Sequence, residues 1–336
     1  MAVAPPGLPA VATVHPVTLR LTIDTAAWRQ HVGSLAASID GLVPVIKGNG
    51  YGFGRDVLQR KAAQLADAVA VGTVFEAREL TAPVTEVIVL TPTLMVPDGL
   101  DARAVLTIGA VEHVDALARA GWRGRVHVKL ESSMHRYGVD RVGLDALVRH
   151  AEVAGLDVHG YLFHPPLVTA TYGDADAIDE IEAWLPHLDP RLPLSVSHLT
   201  PATFAALQAR HPFLQFRLRL GTALWHGDKS FLHLNADVVD RRRIAADGHA
   251  GYRLARVTGA GALAMIGAGS AHGIAPLADG RSPFHFHRER LPLLEPPHMH
   301  TSVVVIDRDR EPPEVGDRVD VQRPLISSWP DELEWR

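Results

Sequence analysis

Short runs of aliphatic residues recur along the first two thirds of the chain, at 43–47, 68–72, 86–90, 104–108, 125–130, 158–163, 194–198 and 214–220. Runs of this length bounded by polar or turn residues predict strands. Between several of them the apolar positions return at helical spacing, at 111–120, 142–154, 174–185 and 201–210, the last with Thr200 as its N-cap. A further helix is predicted after Asp24, where Trp28, Val32, Leu35, Ala36 and Ile39 share one face. Strands and helices alternating in this way predict a (β/α)8 TIM-type barrel over 17–229. After Leu224 the texture changes to glycine, proline and short valine-rich segments, such as Val257–Gly261, Ser302–Ile306 and Val315–Asp320, with a turn at 307–313. The expectation for 230–336 is an antiparallel β domain, and for the Pro- and Ala-rich residues 1–16 a flexible tail.

Composition narrows the partners. With 336 residues there is ample material for one large and one smaller domain. A net charge of −5 argues against a nucleic-acid partner, and Arg241-Arg242-Arg243 reads as a solvated rim. The absence of cysteine removes disulfides, thiolate ligands and a cysteine nucleophile, and is compatible with a cytoplasmic location. Apolar runs are too short to span a bilayer and the N-terminus lacks a basic leader region, so no membrane partner is expected.

The stretch Val45-Ile-Lys47-Gly-Asn-Gly-Tyr51-Gly-Phe-Gly54 carries the most chemistry. A lysine leaving an apolar strand is partly desolvated, which lowers its pKa and favours the neutral, nucleophilic amine that a Schiff base requires. Behind it, glycines let backbone N–H groups approach an anion while Tyr51 can donate a further hydrogen bond. Amine and anion cradle together suggest pyridoxal 5′-phosphate. The same pattern also describes a buried strand ending in a glycine-rich loop with a solvent-seeking lysine, and the residues alone leave both readings open. Barrel sites lie at the C-terminal ends of the strands. Lys47, Lys129, Arg136, His164, His198 and Arg219-Leu-Gly221-Thr222 all follow such ends.

The lysine motif resembles the cofactor-lysine motif of fold-type III alanine racemases, with glycines for two alanines and Phe53 for a histidine. Val128-Lys129-Leu-Glu-Ser-Ser-Met-His-Arg136-Tyr-Gly-Val is similar to a second family segment, and Phe216-Arg-Leu-Arg219-Leu-Gly221-Thr222 to a third. The resemblance implies a barrel followed by a β domain, bound pyridoxal phosphate, a small amino acid substrate, and a homodimer whose active site is shared across the interface. It implies that Lys47 holds the cofactor and that Arg136 holds the substrate carboxylate, oriented by Lys129. His164 would support the pyridine ring, Arg219 would face the pyridine nitrogen, and the amides at Gly221 and Thr222 would bind phosphate. An arginine cannot give up its proton, so the ring nitrogen opposite Arg219 stays unprotonated, which favours racemisation over side reactions. Racemisation needs proton carriers on both faces. The second carrier implied is Tyr252 of Gly251-Tyr252, and Met299 is the implied backbone donor to the substrate carboxylate.

Four segments depart from the family pattern. Thr200-Pro201-Ala202 lacks the family's phosphate-binding serine, leaving Thr200 as a substitute. Gly269-Ser270-Ala-His272-Gly273 lacks the gate tyrosine, which implies a wider entrance and leaves the amino acid unnamed. The terminal segment retains only Ser328 as a phosphate contact, and the β domain is short. Two other functions are weighed. His285-Phe-His287 and His298-Met-His300 are expected to place imidazole pairs on strand faces at a spacing that suits a divalent metal, with His298 and His300 resembling part of the metal motif of D-threonine aldolases and D-serine dehydratases. The weakened phosphate site also suits a cofactor-binding protein with little racemase activity.

Overall fold

The computed structural model describes residues 18–336; the tail expected at 1–16 lies outside the described residues. A strand β1 (Leu19–Ile23) leads into a helix α1 (Thr25–Ala37), whose first turn is capped by Asp24 Oδ1 accepting from the Ala27 N–H at 3.0 Å. Then follow β2 (Leu42–Pro44), α2 (Arg55–Ala62), β3 (Ala68–Val71), α3 (Val74–Arg78), β4 (Glu86–Val89), β5 (Ala104–Ile108) and α4 (Val111–Arg119). The alternation continues through β6 (Arg125–Lys129), α5 (Leu144–Val153), β7 (Asp157–Leu162), α6 (Asp174–Glu182), β8 (Leu194–Ser197), α7 (Pro201–Arg210), β9 (Phe216–Leu220) and α8 (Thr222–His226).

β2 to β9 form an eight-stranded sheet in the order β2-β9-β8-β7-β6-β5-β4-β3, and every adjacent pair is parallel. Beyond Pro44 the chain turns from β9 to β3. Val45 N–H donates to the Leu220 carbonyl, Ile46 N–H donates to the Ala70 carbonyl, and Val45 bridges Ala70 in parallel, which closes the barrel. β5 is buried at every position, as a strand covered on both faces must be. The expected barrel is therefore present. The β4–β5 connection lacks a helix, in keeping with Pro92, Pro97 and Gly99 along it.

The remaining strands are β10 (Leu232–Ile244), β11 (Gly248–Ala250), β12 (Ala255–Val257), β13 (Gly261–Ile266), β14 (Phe284–Phe286), β15 (Glu289–Arg290), β16 (Ser302–Asp307), β17 (Arg318–Val321) and β18 (Glu332–Trp335). β10 is long enough to serve three partners, β1, β17 and β13. It pairs antiparallel with β17 over Asn235–Asp237, passes an irregularity between Val238 and Asp240, and pairs antiparallel with β13 up to Ile244. β13 in turn pairs antiparallel with β16, over a core of Val257, Leu263 and Val303. β11 and β12 form a separate hairpin.

The described chain divides into two compact units, one of 23–233 with 324–327 and 335–336, the other of residues up to Thr22 with 234–323 and 328–334. β1, which sequence reading groups with the barrel, joins β10 and β18 in the second sheet. Its five residues are all buried, and only distant strands could cover them.

Candidate active site

Lys47 stands one residue past the Val45–Ile46 bridge, with its side chain accessible at the C-terminal end of the barrel strands. The turn behind it is built by its own residues. The Asn49 side chain accepts from the Gly52 N–H at 3.2 Å and donates to the Leu325 carbonyl at 2.7 Å, and Tyr51 adopts φ 54 inside that turn. A carboxylate from another element ties the turn down: Glu76 of α3 accepts from the Gly48 N–H at 3.1 Å and from the Gly72 N–H at 2.7 Å. Desolvation, then the charges of Arg136 and Arg219, lower the Lys47 pKa, while Glu76 opposes them.

Tyr51 is buried, and its phenol lies against Gly221, where a Cβ would fall 1.9 Å from the hydroxyl. Its carbonyl is 2.7 Å from His226 Nε2, and burial pushes its phenol pKa up. Thr222 and Ala223 open α8 exposed to solvent, with amides that begin the helix and need external acceptors.

Arg219 is buried at the end of β9 and donates to the carbonyls of Ser195 at 2.6 Å and Phe163 at 2.7 Å, so its plane is fixed by β7 and β8. Burial lowers the guanidinium to about 9, which still leaves it charged at neutral pH. His164 Nδ1 makes a very short hydrogen bond with Ser197 Oγ, and its ring lies 4.3 Å from that of His198. Burial and then the Arg219 charge hold His164 neutral. His198 Nδ1 is 3.0 Å from the Pro165 carbonyl, and burial lowers its pKa as well. Lys129 is buried at the end of β6; desolvation and then Arg219 and Arg136 hold its pKa well below that of an ordinary lysine. Arg136 follows in an exposed loop, its guanidinium 4.8 Å from the Tyr137 ring centroid. The Thr200 hydroxyl is engaged within its own turn: it accepts from the Thr203 N–H at 3.1 Å as the cap of α7, and because Thr203 Oγ1 donates to Asp174 Oδ2 at 2.7 Å, the Thr200 proton points to Thr203 Oγ1 at 2.8 Å instead of to a ligand.

The remaining candidates belong to the second unit. Tyr252 sits on the turn between β11 and β12 and is 86% exposed. Met299 is also exposed, and its carbonyl accepts from the Ala271 N–H at 2.9 Å, so the 269–273 segment is laced to it. Gly269 permits this approach, since a Cβ there would fall 2.2 Å from the His298 carbonyl. His272 turns inward onto the Gly269 N–H at 3.0 Å, and Ser328 is fully buried. The histidine pairs expected on strand faces are not there. His298 and His300 lie in a bend after Pro296-Pro297, and His287 lies past the end of β14 at φ 48, because neither prolines nor left-handed backbone can continue a ladder. Among the described residues, no three His, Asp or Glu side chains converge as a metal site. Glu76, Ser197 and Glu295 escape sequence reading because contacts that matter for each reach distant segments, Gly48, His164 and the amides of Tyr252 and Arg253.

Fold and rim together define a barrel-plus-β protein with its polar residues gathered at the C-terminal ends of parallel strands. The family model described as alanine racemase, N-terminal domain, matches residues 23–228, and the chain belongs to the alanine racemase family. An alanine racemase of Thermobifida fusca (strain YX) is 29% identical over 353 aligned residues, covering 93% of this chain and 92% of that protein. Among solved structures, the alanine racemase of Bartonella henselae with covalently bound pyridoxal phosphate aligns at a TM-score of 0.68 and 18% identity, over 92% of each chain. The Streptomyces coelicolor A3(2) enzyme aligns at 0.66 and 22% identity, over 91% of this chain and 89% of that one.

Proposed function

We propose that the chain is a pyridoxal-phosphate-dependent racemase of a small amino acid, working as a homodimer. The observation that carries this reading is the convergence of Lys47, Lys129, Arg136, His164 and Arg219 on one rim, near enough for the guanidinium charges to depress both lysines. The residues present fit the cofactor. Lys47 offers a reactive amine, the missing Cβ of Gly221 lets the Tyr51 phenol sit against the backbone there, and the residues that start α8, Thr222 and Ala223, are exposed where their amides could take a phosphate.

Bound pyridoxal phosphate would withdraw electrons from the substrate Cα and make its proton removable. Lys47 then holds or moves that proton on one face of Cα. Tyr252 of a second copy does so on the other face, for which its exposure on a turn suits it. Arg136 binds the substrate carboxylate, and the Met299 amide adds a donor to it. Lys129, a buried amine that feels the charges of Arg219 and Arg136, would orient Arg136. Arg219 would present a fixed positive charge to the ring nitrogen, and His164, held by Ser197 and beside His198, would support the ring. With Thr200 engaged in its own cap, the phosphate falls to Tyr51 and the amides at Gly221 and Thr222.

Purified protein should take up pyridoxal phosphate and show its bound absorbance. Lys47→Ala should lose that absorbance while keeping the circular dichroism of the folded chain, and an unchanged absorbance spectrum would overturn the assignment. For the second carrier, exchange of the Cα proton with deuterated solvent is measured on each enantiomer. Tyr252→Phe should slow exchange of one enantiomer far more than the other, and equal wild-type rates would remove Tyr252 from the reaction.

A further inference from the structure

An exposed tyrosine on a hairpin turn has several rotamers open to it. The turn that carries Tyr252 is itself held at two backbone amides by one carboxylate. Glu295 Oε1 accepts from the Tyr252 N–H at 2.8 Å and Oε2 from the Arg253 N–H at 3.0 Å. Gly251 makes the approach possible: it sits at φ +79, and a Cβ there would fall 2.2 Å from Glu295 Oε1. The same Oε1 pairs with His298 Nε2 at 2.5 Å, and the His298 ring stacks on the Tyr252 ring with centroids 4.1 Å apart and planes 20° apart. Glu295 and His298 are separated by Pro296-Pro297, whose locked φ angles limit how far the two side chains can drift. The segment is anchored on either side by Leu294 N–H donating to the Val303 carbonyl and His298 N–H donating to the Thr301 carbonyl, each at 2.8 Å.

We propose that Glu295 and His298 are a positioning pair for Tyr252, the carboxylate fixing the turn and the imidazole fixing the phenol ring that lies against it. The inference rests on the racemase reading, in which Tyr252 carries a proton. A phenol that must meet a Cα proton gains rate by arriving in one orientation, because misplacement by an ångström costs about 100-fold. His298 itself acts through the ring it stacks on, so its loss lowers turnover and leaves substrate capture intact.

The test compares His298→Ala, His298→Phe, Tyr252→Phe and the double variant His298→Ala/Tyr252→Phe. On the protein without substrate, proton NMR resolves the ring signals of Tyr252, assigned by their loss in Tyr252→Phe. The stacked imidazole should shift them upfield, His298→Phe should keep that shift and His298→Ala should abolish it. With pyridoxal phosphate bound, His298→Ala should cut the exchange kcat of the Tyr252-dependent enantiomer about 10- to 100-fold, with KM and the other enantiomer within about two-fold. His298→Phe should recover most of that loss, and the double variant should be no slower than Tyr252→Phe. An unshifted Tyr252 ring, wild-type exchange in His298→Ala, or losses that multiply in the double variant would overturn the pair. Wild-type exchange of both enantiomers in Tyr252→Phe would overturn the underlying reading instead, and with it any proton-transfer purpose for the pair, even where the ring shift behaves as expected.

Discussion

Gly221 shows how a single missing atom shapes the rim. Its φ of −116 lies outside the left-handed region, and the obstacle to a side chain is the Tyr51 phenol, 1.9 Å from where a Cβ would lie. Gly221→Ala should therefore destabilise the protein by about 1–3 kcal/mol through overpacking, measured by urea unfolding. Shortening the clashing side chain with Tyr51→Leu in that background should return part of the loss, and simple additivity in the double-mutant cycle would contradict the contact. Some of the rim was legible in the sequence at this scale. Lys47, Arg219 and His164 announce themselves because a charged residue closing an apolar run is conspicuous. Glu295 does not: it follows Leu293-Leu294 in a proline-rich segment, and its importance lies in amides 42 and 43 residues away.

Among the elements, α3 matters more than its five residues suggest. Thr73 caps it by accepting from the Glu76 N–H at 3.3 Å, and the Glu76 side chain then reaches the amides of Gly48 and Gly72, locking the end of β3 to the lysine turn. Removing the carboxylate with Glu76→Ala leaves both amides without it and should cost about 2 kcal/mol of stability, since hydrogen bonds to a charged acceptor are worth roughly 1.5–3 kcal/mol. Pyridoxal phosphate absorbance should fall with it as the Lys47 turn loosens; retention of both would show that α3 does not support the turn. Strand positions were readable because aliphatic runs bounded by turns are a local signal. β1 was not assignable in the same way: Leu19, Leu21 and Ile23 merely alternate with Arg20 and Thr22 in a segment that sequence reading left with the barrel, and β10 and β18 decide its sheet from more than two hundred residues away.

For the whole molecule, buried histidines set the acid limit. His127 inside the barrel is shifted well below its ordinary value of 6.5 by burial and then by Arg217, with His159, Arg219 and Arg125 adding to it, and Glu86 lies 3.8 Å from its Nε2. His164 is shifted the same way. The unfolded chain binds these protons near pH 6.5 and the folded chain does not, so their contribution to stability is complete above that value and is lost as pH falls below it. Urea midpoints should accordingly drop on the acid side of pH 6.5, and His127→Leu should flatten that drop. A flat wild-type profile would contradict the burial of both rings as neutral groups. Closure of the barrel has another consequence. β2 and β9 are the first and last strands of the parallel sheet, yet Val43 lies opposite Arg219, and Tyr51 touches Gly221. The Lys47–Tyr51 turn and Gly221 thus come from opposite ends of about half the chain, and no fragment stopping short of residue 221 holds both. Capture of pyridoxal phosphate by a nascent or refolding chain would mark the moment the ring of strands is sealed, making the cofactor a clock for the last topological step of folding.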